Sequence, residues 1–187
     1  GITTDCPQRD ERCGWMNDAT VRFEEMPYHF ETGSFFGKII EDIVAEQDER
    51  GAITCTAPYV YGHRPADPVC SSFLIAAMQA YLHAGNKEII QKHYHAFKAW
   101  NDILKENSAD GIVQYSYYGD WAAPADCCGI VEEWHKASPF PKTESIDIDQ
   151  VKSSTTPGLL MSTGFHYLNY TLLEQFASIL DYQDEVE

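Results

Sequence analysis

Two helical runs meet across the two-residue junction Gly85-Asn86, and this restricts the fold more than any other feature of the chain. Asp67 is a good N-cap and Pro68 a good first helical residue, so the first run starts there and continues to Ala84. It is apolar nearly all round, which predicts a buried helix. Gly85 stops it and Asn86 caps the next run, predicted over 87–106. There Ile90, Tyr94, Phe97 and Leu104 form an apolar stripe. So short a connection forces an antiparallel hairpin. Two more helices are predicted. One, near 35–48, carries Phe36, Ile40 and Ile43; the other, over 157–180 from Thr156-Pro157, carries Phe165, Leu168, Leu172, Phe176 and Ile179 on its apolar face. Ala19 to Phe30 reads as a shorter helix that Pro27 kinks or cuts.

The remaining segments read as loops. Ala52 to Ala66 holds Pro58, Gly62 and Pro65 and reads as extended chain without a sheet partner. Asp110-Gly111 is a turn. From Ile112 to Thr155 no helical period appears, a length beyond a plain connector. Within it Gln114 to Tyr118 alternates like a short strand, and Val131 to Lys136 reads as a helical turn. Asp181 to Glu187 reads as the turn into a further helix. The residues alone thus predict an all-α fold of hairpins whose long loops carry the site.

Bulk chemistry narrows the function. At 187 residues and 44% apolar content the chain is long enough for a sizeable core. A formal net charge of −16 argues against nucleic acid and against anionic membrane surfaces. No apolar run approaches the ~18 residues of a membrane span, and no signal peptide is visible. Six cysteines include no C-x-x-C pair, and the vicinal Cys127-Cys128 suits a reduced compartment. His93 and His95 lie two apart on a helix and face different ways, so no metal is expected, nor any cofactor. The sequon at Asn169 falls inside a predicted helix, a poor place for a glycan.

The chemistry concentrates in Asp5 to Ala19, which packs four carboxylates, two guanidiniums and a Trp into fifteen residues. Pro7 and Gly14 interrupt any helix, so the stretch reads as an ordered loop entering a helix, with Asn17 or Asp18 as N-cap. Most such charge runs are solvated surface; here the carboxylates alternate with Arg beside an aromatic and can converge on one polar ligand.

The run Asp-Cys-Pro-x-Arg-Asp-Glu-Arg-x-Gly-Trp resembles the catalytic motif of glycoside hydrolase family 78, the α-L-rhamnosidases. The resemblance continues in Asp67-Pro68-Val69-Cys70 and in Tyr118-Gly119-Asp120-Trp121, and covers essentially the whole chain. It implies part of an (α/α)6 barrel, roughly the first half of a catalytic domain, since family members carry β-domains before this motif and more barrel after it. It also implies an inverting hydrolase acting on rhamnose-containing glycosides. In such an enzyme two carboxyl groups stand about 6.5–9.5 Å apart, one protonating the leaving oxygen and one activating water.

Carried over residue by residue, the resemblance makes Glu11 the general acid. Asp5, Asp10 and Asp18 favour its protonated form by like-charge repulsion, and Arg9 and Arg12 oppose that. Asp5 and Asp18 match positions that hydrogen-bond the sugar, and Trp15 matches an aromatic lining its pocket. Asp120 and Trp121 match a second loop that closes the pocket. Arg9, Asp10 and Arg12 are expected to orient the carboxylates, and Asp67 to cap its helix or touch sugar. The bland alternatives are a salt-bridged surface Glu11, a core Trp15, a capping Asp18 and a plain Gly-Asp turn at Asp120. Two departures stand out. Gly-Trp-Met-Asn-Asp replaces the common Gly-Trp-Thr-Gly-Asp, and Pro65-Ala66 stands where many members have a Trp. The family's general base lies beyond residue 187, and Glu132, Glu133 and Glu174 are not assigned to that role. The isolated chain is therefore expected to be inactive, and to self-associate through the exposed inner faces of a half-barrel, from Asp67 to Leu104. The alternatives are another inverting (α/α)6 glycosidase or sugar lyase, and a non-enzymatic acidic interaction module.

Overall fold

A computed structural model describes residues 10–121 and 156–182. The expected turn at 131–136, the vicinal cysteines, Asp5, Arg9 and most of the last turn lie outside them. The elements are α1 (Met16–Arg22), α2 (Gly33–Ala45), α3 (Ser72–Ala84), α4 (Lys87–Glu106), the short strands β1 (Ser108–Ala109) and β2 (Ile112–Val113), and α5 (Gly158–Leu180). Two 3-10 turns, Met26–Tyr28 and Pro68–Cys70, punctuate them.

The α3–α4 hairpin forms at the predicted junction. Gly85 adopts φ +66°, a left-handed value open to glycine at no steric cost. Its N–H meets the Tyr81 carbonyl at 2.9 Å, and that of Asn86 meets Ala80 at 3.2 Å. The Asn86 side chain then accepts from Ile89 N–H at 3.1 Å, capping α4. On α4 the stripe Ile90, Tyr94, Phe97 and Leu104 is buried, with Trp100. Phe73 of α3 meets Phe97 of α4 edge-on at 5.1 Å, and Phe97 meets Phe176 of α5 at 5.5 Å, so one aromatic column joins three helices. A buried polar knot reinforces it: the Ser71 hydroxyl accepts from Trp100 Nε1 at 2.9 Å and from Asn169 Nδ2 at 3.0 Å. Asn169, the sequon residue, is thus fully enclosed.

Several boundaries differ from expectation. The helix expected from Ala19 starts at Met16 and stops at Arg22; Pro27 has no N–H to donate and restricts the residue before it, so only a 3-10 turn follows. The N-cap is Trp15, not Asn17 or Asp18, and Asp18 sits in the first turn, where its charge suits the helix dipole. The run from Asp67 divides. Asp67 caps a 3-10 turn by accepting from Val69 N–H at 3.1 Å, and the α-helix starts only at Ser72. Gln114 to Tyr118 forms no strand. The sheet is β1 against β2, antiparallel, with Ser108 opposite Val113, and turns at Asp110 and Gly111, both at positive φ. On α5, Leu172 and Phe176 are buried, whereas Phe165, Leu168 and Ile179 are half-buried.

The loop before α3 is extended, as expected, but it is stitched down. Gly51 passes over α4 at φ +103°, so close that a Cβ there would lie 2.6 Å from the Ala99 Cβ and 2.8 Å from its carbonyl. Among the described residues no helix is long and apolar enough to cross a membrane.

Candidate active site

The chain enters the site through Arg12, a non-glycine residue at φ +53° that turns the backbone back toward the core. The next residues are sewn to the loop before α3. Ala57 N–H donates to the Gly14 carbonyl at 3.0 Å, Met16 N–H donates to the Cys55 carbonyl at 3.0 Å, and Trp15 bridges Thr56. Backbone pairing, not a capping side chain, thus fixes where α1 begins.

Glu11 is half-buried, and its Oε1 accepts from the Trp15 indole N–H at 3.2 Å. Burial, and then the Glu11 charge, push the neighbouring Cys13 thiol above its ordinary range. Trp15 anchors an aromatic cluster. Tyr61 and Tyr118 each meet its ring edge-on, with centroids 5.7 Å away, and Tyr118 meets Trp121 in the same manner at 5.7 Å. The Glu11 loop and the Trp121 loop therefore share one end of the molecule, with Tyr118 between them. His63 stacks on Tyr117 at 3.9 Å behind that wall.

Asp67 holds the wall in place. It is 1% exposed. Besides Val69 N–H, it accepts from Tyr117 N–H at 2.5 Å, Tyr118 N–H at 2.8 Å and the Ser116 hydroxyl at 3.4 Å. Its carboxylate faces inward, so its observed work is to clamp the loop at 116–118 to the start of α3. Behind it, the Tyr115 hydroxyl donates to the Ala66 carbonyl at 2.9 Å, and burial raises the phenols of Tyr115 and Tyr118 far above their ordinary range. Cys55 and Cys70 are buried free thiols in mutual contact beneath the same wall. Burial raises the Cys70 thiol strongly, whereas its hydrogen bond lowers that of Cys55.

The structure thus brings Glu11, Trp15 and Trp121 together, with Asp67 as a clamp. Asp120 is half-buried and Asp18 lies in the first turn of α1. Asp10 and Arg12 are exposed, and Arg12 makes no ion pair with a carboxylate among the described residues. Sequence reasoning missed Tyr61 and Tyr118 as wall residues. Tyr118 lay inside a quoted motif, but its alternation with neighbours pointed to a strand. Away from the site, a crevice of about 330 Å³ is lined by Asp48, Arg50, Arg64 and Glu106. Its guanidiniums are engaged by Glu106 and Glu46.

A sequence model described as the bacterial alpha-L-rhamnosidase 6 hairpin glycosidase domain matches residues 1–187. An alpha-L-rhamnosidase of Streptomyces avermitilis is 32% identical over 130 residues, 67% of this chain and 12% of that protein. One from Alteromonas sp. is 27% identical over 124 residues, 66% of this chain and 14% of that protein. The chain therefore spans about an eighth of the length of these curated relatives. Among solved structures, the alpha-L-rhamnosidase of Dictyoglumus thermophilum superposes with a TM-score of 0.82 at 30% identity, covering 99% of this chain and 18% of that one. The Streptomyces avermitilis enzyme complexed with L-rhamnose gives 0.74 at 22% identity, covering 98% and 16%, and supports the fold. The hairpin helices accordingly fit part of an α/α barrel, and with the match running from first residue to last, the chain belongs to the bacterial α-L-rhamnosidase six-hairpin glycosidase family.

Proposed function

We propose that this chain supplies the general-acid part of a site that removes terminal α-L-rhamnose from rhamnosides with inversion. It would form the N-terminal part of an (α/α)6 catalytic domain whose base lies in another segment. The observation that carries the reading is the Glu11 carboxylate held by the Trp15 indole at the edge of an aromatic wall. Sugars present apolar ring faces as well as hydroxyls, and aromatic rings beside a carboxyl group suit both. In the reaction, protonated Glu11 gives its proton to the glycosidic oxygen as the bond from that oxygen to the anomeric carbon breaks. A water attacks the opposite face of that carbon and loses its proton to the base. Trp15 orients the acid, and Asp5, Asp18 and Asp120 are assigned to the sugar hydroxyls, with Trp121 closing the pocket.

Glu11→Gln tests the assignment in the catalytically competent protein. It keeps shape and hydrogen bonding but has no acid proton. It is expected to slow hydrolysis on the order of 10²–10⁴-fold for a poor leaving group, and much less for an activated aryl leaving group. An equal loss on both would make Glu11 a binding or folding residue. Hydrolysis of aryl α-glucoside in preference to aryl α-L-rhamnoside would redirect the reading to another glycosidase.

A further inference from the structure

Cys55 and Cys70 are nucleophilic groups that the hydrolytic reaction does not use. Both are free and wholly buried, and their thiols touch. Each comes from a segment that fastens the wall. The Cys55 carbonyl fixes the start of α1 by accepting from Met16 N–H. Cys70 ends the 3-10 turn that Asp67 caps, and its N–H donates to the Asp67 carbonyl at 2.8 Å. The two sulfurs are not equivalent. The Cys55 sulfur accepts from His63 N–H at 3.4 Å, from Asp67 N–H and from the Cys70 thiol. Donors aimed at a sulfur favour its thiolate; burial and the Asp67 charge oppose this at Cys55 without reversing it. Cys70 stays protonated, held so by burial. The pair thus has the asymmetry of a nucleophilic and a resolving cysteine.

The cover over Cys55 is a single turn. Gly62 passes at φ +93°, so close that a Cβ there would lie 2.6 Å from the Cys55 Cβ and 3.3 Å from its sulfur. Tyr59, Val60 and Tyr61 in the same turn are 44%, 64% and 59% exposed, so the turn buries little apolar surface. Hydrogen bonds hold it instead, the Thr56 hydroxyl accepting from Val60 N–H at 3.2 Å and Tyr61 N–H at 3.3 Å. Segments of that kind open locally at less cost than the packed helices beside them. A molecule as small as hydrogen peroxide can pass through such an opening.

We propose that Cys55 and Cys70 are an oxidation-sensitive modification site, a dithiol that a small hydroperoxide closes into a disulfide beneath the aromatic wall. The Cys55 thiolate attacks one peroxide oxygen, and the O–O bond breaks. The other oxygen leaves as hydroxide and takes up the proton the thiol released, giving water and a sulfenic acid on Cys55. The Cys70 sulfur then attacks the Cys55 sulfur, the S–O bond breaks, and that oxygen leaves as water with the Cys70 proton. Two thiols are oxidised, one peroxide is reduced and two waters form. The bridge ties the segment that starts α1 to the turn that Asp67 caps, and a dithiol reductant reopens it.

Trypsin cuts after Arg50 and Lys87 but not at Arg64, which precedes Pro65, so the peptide 51–87 carries both cysteines and no other. The test exposes the folded, reduced chain to dilute hydrogen peroxide, unfolds it in iodoacetamide and weighs that peptide. It should carry no alkyl group and lack two hydrogens; reduction before alkylation should restore two alkylated thiols. The urea midpoint of the oxidised chain should rise and return with dithiothreitol. Cys70→Ala should stop at a sulfenic acid on Cys55 that dimedone labels, and Cys55→Ala should leave Cys70 unlabelled. Circular dichroism checks that the variants fold, and where one does not, the wild-type peptide alone decides. Two alkyl groups on the wild-type peptide after peroxide, or a bridge that forms only in urea, overturns the proposal. Dimedone on Cys70 in Cys55→Ala overturns the order of attack.

Discussion

A buried carboxylate ordinarily needs a cation beside it, yet Asp67 makes no ion pair among the described residues. Three N–H groups and one hydroxyl take the cation's place, and two of those N–H groups come from residues fifty and fifty-one positions downstream. Such bonds to a charged acceptor are worth about 1.5–3 kcal/mol each, and an orphaned buried donor costs about 1–3 kcal/mol. Asp67→Asn keeps the volume but replaces one accepting oxygen with an amide that faces other donors. It is expected to lower stability by about 2–4 kcal/mol in chemical denaturation. The near-ultraviolet circular dichroism of Trp15, Tyr118 and Trp121 should weaken while the helical signal stays. Unchanged spectra in both regions would remove Asp67 as the clamp. Half of its role was legible, because Asp before Pro reads as a cap. The other half was not: a side chain that accepts from distant backbone leaves no trace in local spacing.

At the scale of elements, the face between α4 and its neighbours carries two buried histidines, His93 at 7% and His166 at 6% exposure. Burial holds both rings neutral, below the ordinary value of 6.5, and the charges of Lys92 and Lys105 add to that. Glu41 opposes for His93, as does a bond to the Asn101 backbone for His166. A lowered folded value means the unfolded chain takes up protons first as the pH falls. The stabilisation is whole above about pH 6.5 and is lost progressively below it. Denaturation midpoints should fall between pH 7 and pH 5, and His93→Gln with His166→Gln should flatten that slope; an equally steep fall in the double variant would assign it to carboxylates. Apolar spacing located all four long helices, because burial on one face writes a period into the sequence. It did not show that Asn101, Ser162, His166 and Asn169 are interior, since polar letters on a helix read as surface. Nor did it place the start of α1, which is set by pairing with Cys55 and Thr56 against local capping preference.

For the whole molecule, the expected exposure of the α3 and α4 apolar faces is not what the structure has; those side chains are buried against α2 and α5. Away from the site, the large apolar residues in water include Val21, Tyr28 and Phe30 around α1, Leu82 at the end of α3, and Leu160, Tyr167 and Tyr170 on α5. Self-association of the chain is accordingly expected through α5 and the α1 region, opposed by a net charge of −16 that salt screens. Sedimentation should show a mass that rises from low to high ionic strength, and Leu160→Ser with Tyr167→Ser should reduce it. A monomer at every salt concentration would remove the α5 and α1 patches as contacts between copies. The rim of the site, for its part, is fastened largely by peptide groups: the carbonyls of Gly14 and Cys55, and the N–H groups that Asp67 gathers. Every residue except proline brings such groups, whatever side chain it bears. Ancestry can therefore exchange the letters at 60, 61 and 117 and alter what the rim displays without relocating it. Fastening and display are thereby carried by different atoms of the same residues, so one frame can present different side chains.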